Sequence, residues 1–68
     1  MKNKGVKNMA FQVVFEDKVH GTINEYFEDF QEGADFWNNY ADTPTCIAGE
    51  FCDCETGEVF WSFDDTEK

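Results

Sequence analysis

Five carboxylates, Glu25, Glu28, Asp29, Glu32 and Asp35, fall between positions 25 and 35, and no Lys, Arg or His lies between Thr22 and Tyr40. Their separations are three and four residues, which on a helix stacks them on one face. That places about one negative charge per 3–4 Å of helix axis. One strand of duplex DNA presents a phosphate about every 3.4 Å. Carboxylates at these spacings repel one another unless a Lys stands between them, and a cationic partner would relieve that repulsion. Phe36, four residues after Glu32, shares this face and is a candidate apolar anchor for the same partner. Asp53, Glu55 and Glu58 form a second acidic group around a turn, and Asp64, Asp65 and Glu67 a third near the end of the sequence. The candidate partner-binding set is therefore Glu25, Glu28, Asp29, Glu32, Asp35, Phe36, Asp53, Glu55 and Glu58.

Other chemistries are poorly supplied. Cys46, Cys52 and Cys54 with His20 are the only soft metal ligands. Zinc requires its ligands within about 4 Å of one another. Cys46 and Cys52 on one strand stand about 20 Å apart at ~3.3 Å per residue. The thiols read as free cysteines, and an odd number of them fits a reducing compartment. There is one His and one Ser, no Arg, no phosphate-binding Gly motif and no calcium-loop spacing. No catalytic residue, metal or cofactor is expected.

The 68 residues carry a formal charge of −10, from 15 acids against 5 basic residues. That length allows one domain. The charge disfavours direct contact with nucleic acid or an anionic membrane. No apolar run is long enough to cross a bilayer, so a cytoplasmic location is expected. Aromatic residues reach 18%, with eight Phe and no Leu. A chain so rich in rings is not disordered. Its apolar area is concentrated in a few large side chains, which a domain this small needs.

The elements that must position the acids follow from periodicity. Residues 1–9, with Lys2, Lys4 and Lys7 and no acid, read as a flexible basic arm. Residues 10–64 form the domain and 65–68 an acidic tail. Residues 11–16 alternate as a strand, with Phe11, Val13 and Phe15 on one face. Thr22 and Glu25 match a capping box. From there Ile23, Tyr26, Phe27, Phe30, Ala34, Trp37 and Ala41 make one apolar stripe, so a helix is expected from Thr22 to the Asp42-Thr43-Pro44 stop. Gly33 inside it marks a bend or a close approach to the sheet. Residues 46–54 and 58–63 read as a hairpin around Glu55-Thr56-Gly57, with 51 opposite 61 and Gly57 left-handed. Ile47, Phe51, Val59, Trp61 and Phe63 would face the core. The expected fold is α+β: one β-α-β-β domain with a single amphipathic helix on a three-stranded, mostly antiparallel sheet. The last strand is expected at the centre, with a parallel pairing of the first two strands as the alternative.

In size, charge and the acidic helix Glu25-Tyr-Phe-Glu-Asp-Phe-Gln-Glu-Gly-Ala-Asp35, the chain resembles the small phage-encoded inhibitors that imitate DNA. These include anti-CRISPR proteins, anti-restriction proteins and uracil-DNA glycosylase inhibitors. The resemblance implies a partner with a basic nucleic-acid-binding groove, namely a CRISPR effector, restriction enzyme or repair enzyme. It implies inhibition by competition in the host cytoplasm, without direct contact to nucleic acid. A second reading is a regulatory module that binds a protein through the strand edge Phe11–Glu16, or forms a homodimer there, with the acids serving solubility.

Overall fold

The computed structural model describes residues 9–65. The basic arm and the acidic tail therefore lie, apart from Met9 and Asp65, outside the described residues. The elements are β1 (Phe11–Asp17), β2 (Gly21–Phe27), α1 (Phe30–Tyr40), β3 (Cys46–Asp53) and β4 (Val59–Asp64). They form one antiparallel sheet in the order β2-β1-β3-β4 with the helix on one face. The α+β class stands, with ββαββ order and four strands in place of β-α-β-β and three. β1 and β3 are central, and β4, expected at the centre, is an edge strand.

Residues 21–27 account for the difference. Ile23, Tyr26, Phe27 and Phe30 satisfy a helical stripe, but Thr22, Ile23, Tyr26 and Phe27 are also good strand formers. The turn before them decides between the two. The Asp17 carboxylate accepts the backbone N–H groups of Val19 (2.8 Å) and His20 (3.0 Å). Gly21 takes φ +82°, a conformation open to Gly at little cost. Asp17 then pairs with Gly21 and the chain returns along β1 to Phe27 opposite Phe11. Thr22 caps no helix; its hydroxyl donates to Glu16 at 2.8 Å.

The helix begins eight residues later. Asp29 is extended and its carboxylate accepts the Gln31 N–H at 3.1 Å, satisfying one of the orphan donors of a helix start. Glu32 in the first turn complements the helix dipole. At the far end the Thr43 N–H bonds the Tyr40 carbonyl at 2.9 Å, and Pro44 follows. Gly33 marks a close approach: a Cβ there would sit 2.8 Å from the Phe51 ring.

Val13, Phe15, Ala34, Cys46 and Phe51 form the buried core, with Phe11, Ile23, Phe27, Phe36, Trp37, Tyr40, Phe60 and Phe63 packed around it. Phe51 is ringed by Phe30, Trp37, Phe60 and Trp61 at centroid distances of 5.1–6.3 Å, each pair in the range that adds ~0.5–1.5 kcal/mol beyond area burial. Two register shifts adjust the expected core face. One, at Glu16/Asp17, brings Cys46 rather than Ile47 into the core. The other, at Phe51/Cys52, puts both Phe60 and Trp61 against Phe51 and leaves Val59 exposed. The pairing of Phe51 with Trp61 and the left-handed Gly57 are as expected. The turn has four residues, closed by the Asp53 N–H on the Glu58 carbonyl at 2.8 Å.

Candidate functional site: an acidic end around exposed rings

β1 pairs its first residue, Phe11, with Phe27 on one side and Asp53 on the other. The C-terminus of β2, the start of α1 and the β3–β4 turn therefore lie at one end of the sheet. The Cys54 N–H on the Ala10 carbonyl (2.8 Å) ties that turn to β1. Glu28, Asp29 and Glu32 thus stand at the same end as Asp53, Glu55 and Glu58. Two acidic groups separated in sequence thus share one end of the sheet, the end of β2 and Asp53 of β3 being two inter-strand spacings, about 10 Å, apart. Glu25, opposite Val13, is one alternation further along β2. Lys18, the one lysine among the described residues, occupies the β1–β2 turn at the opposite end together with His20.

The six residues expected on one helix face, Glu25, Glu28, Asp29, Glu32, Asp35 and Phe36, do not share it. Glu25 is on a strand, Glu28 in the connection and Asp29 at the cap; only Glu32, Asp35 and Phe36 belong to α1. Two acids have structural work. Asp29 caps the helix, and Asp53 accepts the N–H groups of Glu55 (2.7 Å) and Thr56 (3.1 Å) in its own turn. Asp35 lies a turn beyond the acidic end and accepts the Gln31 side-chain amide at 3.0 Å. Phe36 is no surface anchor. It is half-buried, against Phe27 (5.5 Å), Phe15 (5.7 Å) and Tyr40 (6.0 Å).

Phe30, in the first turn of the helix, is an exposed ring at the acidic end, 39% accessible and in contact with Phe11, Phe60 and Trp61. Its spacing from Phe27 and Ala34 predicts a place in the core stripe. The signal that could have moved it is its place one residue after the Asp29 cap, since a first-turn side chain overhangs the end of the sheet.

At the opposite end Asp17 is buried and fully used. It accepts the Tyr40 hydroxyl at 2.6 Å and the Thr45 hydroxyl at 2.9 Å besides its two backbone donors. The exposed His20 ring stands 3.4 Å away. The Tyr40 bond above all, helped by the other donors against the cost of burial, holds the Asp17 carboxyl well below the usual range. A carboxylate so saturated is a poor general base. Burial, then neighbouring carboxylates, push the Cys52 and Cys54 thiols up, away from the reactive thiolate. Among the described residues no three His, Cys, Asp or Glu side chains converge as a metal site, and no helix is long and apolar enough to cross a membrane.

No protein-family model matches the sequence, and the comparisons with known proteins and with solved structures found no similar chain.

Proposed function

We propose that this protein binds the cationic nucleic-acid-binding surface of a partner protein and inhibits it by taking the place of the phosphates. The observation that carries this reading is the convergence of Glu28, Asp29 and Glu32 with Asp53, Glu55 and Glu58 at one end of the sheet, remote from Lys18 and His20. The far end carries acids as well, Glu16, Asp17, Asp42, Asp64 and Asp65, but it also carries Lys18, whereas among the described residues no lysine accompanies the six acids at this end. A dense negative field speeds encounter with a basic groove and excludes acidic partners. Phe30 supplies, amid those charges, the apolar contact that DNA lacks. The fitting partners are CRISPR effectors, restriction enzymes and repair enzymes, met in the cytoplasm.

The alternative edge Phe11–Glu16 is not available, because β1 is paired on both sides. A tagged pull-down from nuclease-treated host lysate, washed in rising salt and read by mass spectrometry, tests the proposal. Recovery of a nucleic-acid-binding protein released at moderate salt supports it. Recovery only of partners that lack a basic groove and survive high salt contradicts it.

A further inference from the structure

The two sheet edges are guarded unequally. Over β2 the helix is in contact, and Glu25 projects on the helix face between Ile23 and Phe27. A strand added there would have to bury a charge, a common device against edge pairing. On the other face of the same edge Asn24 and Tyr26 are tied to Gln12, and Thr22 to Glu16.

β4 has neither protection. The α1 backbone lies close to β1, β2 and β3 but not to β4. The helix-facing rings of β4 are covered only by side chains: Trp61 by Phe30 (5.8 Å) and Trp37 (6.0 Å), Phe63 by Trp37 (5.7 Å). Trp61 keeps 39% of its surface accessible. Among the described residues no strand lies beyond β4. The Asp65 N–H on the Ile47 carbonyl (2.6 Å) sets the phase of the β3–β4 ladder. By antiparallel alternation Phe63 and Trp61 direct their backbone groups to β3, and Ser62 directs its own outward.

The opposite face of the sheet differs in character. Val14, Ala48 and Gly49 floor a shallow depression of about 210 Å³ there, with Glu16 and Glu50 at its sides. Glu50 pairs with Ser62 across β3 and β4 and is exposed. A residue added beyond Ser62 would stand two strand spacings, about 10 Å, from Glu50, within the joint reach of a lysine and a glutamate.

From these relations we infer that the β4 edge is a strand-addition site for an extended segment of a partner, alternating apolar and basic residues. Its apolar side chains complete the cover of Trp61 and Phe63, and its basic ones turn to the face that carries Glu50 and Glu16. Two copies of a chain of charge −10 repel, so the occupant is a basic partner rather than a second copy. The inference takes from the proposed function only the sign of the partner's charge.

The test uses the whole protein and a capped peptide, Lys-Val repeated four times, followed by amide NMR and Trp fluorescence. Addition at β4 shifts the Ser62 amide and the Trp61 indole first and slows hydrogen exchange at Ser62. The same peptide with a central Pro binds at least about tenfold more weakly. Ser62→Pro removes only an outward donor, tolerable on an edge, and lowers affinity to a similar degree while the remaining amide spectrum stays dispersed. Shifts confined to residues 28–32 and 53–58 overturn the inference and leave the acidic end standing as the binding surface. Shifts confined to β4 support the inference and count against the acidic end. Shifts along β2, or a wild-type dimer in sedimentation equilibrium that Ser62→Pro dissociates, overturn it as well.

Discussion

The Tyr40 hydroxyl donates to the Asp17 carboxylate at 2.6 Å, joining the last turn of the helix to the last residue of the first strand. Asp17 thereby holds the β1–β2 turn, the helix end and Thr45 together. Its carboxyl is depressed from the ordinary 3.8, so its contribution to stability is present above that value and is lost as pH falls toward the folded value. Tyr40 is pushed up to about 12 from 10, chiefly by the bond to Asp17, so its contribution is full below pH 10 and is lost as pH rises through 12. Tyr40→Phe should lower Tm at neutral pH and abolish the loss between pH 10 and 12. Asp17→Asn should lower Tm further and remove its share of the acid loss. Thermal melts by circular dichroism across pH, read as differences from wild type, check both.

Two glycines hold rings against the sheet. A Cβ at Gly49 would meet Phe15 at 2.6 Å and Phe63 at 2.8 Å, both aromatic and one fully buried. Gly49→Ala should destabilise by ~1–3 kcal/mol, the usual cost of overpacking. At Gly33 the helix would gain ~1 kcal/mol from Ala, against contacts of 2.8 Å with the Phe51 ring. Phe51 is fully buried and cannot swing away, so overpacking wins and Gly33→Ala is also destabilising. Urea titration measures each.

Phe36 packs against the core. Phe36→Ala should cost ~2–4 kcal/mol, somewhat below a full Phe deletion because the ring is only half-buried. Phe30→Ala should weaken partner binding more than it weakens the fold. Denaturation and affinity measured on the same two variants separate the roles.

Asp29 starts the helix and Thr22 does not. Asp29→Ala should lower stability by ~0.5–2 kcal/mol, with a loss of helical signal. Thr22→Ala should leave the helical signal unchanged, since its hydroxyl serves only an exposed contact with Glu16. Far-ultraviolet circular dichroism with urea titration distinguishes them.

Much of this architecture is legible in the residues. β1, the β3–β4 hairpin with Phe51 opposite Trp61, the left-handed Gly57 and the close approach at Gly33 follow from alternation, turn chemistry and spacing. The region Thr22–Phe27 does not, because its apolar residues fit both periods. Asp17 and Gly21 are what select a hairpin there, through contacts with Tyr40 and Thr45 that are distant in sequence. The bulge before Cys52 escapes a uniform register for a similar reason: it places both Phe60 and Trp61 over Phe51. The acidic residues are visible as three groups, of which the first two share an end of the sheet. Their meeting at one end depends on β1 pairing with both β2 and β3, which local pattern does not encode.

The central claim is that the converged acidic end binds a cationic surface. The most direct measurement is affinity for the captured partner against salt, for wild type and for Glu28→Lys, Glu32→Lys, Glu55→Lys and Glu58→Lys combined. These four leave the Asp29 cap and the Asp53 turn intact. The account predicts affinity that falls steeply with salt in the wild type, and a loss of about tenfold or more with a flattened salt slope in the variant. Equal affinity and equal salt slope in a folded variant would contradict it.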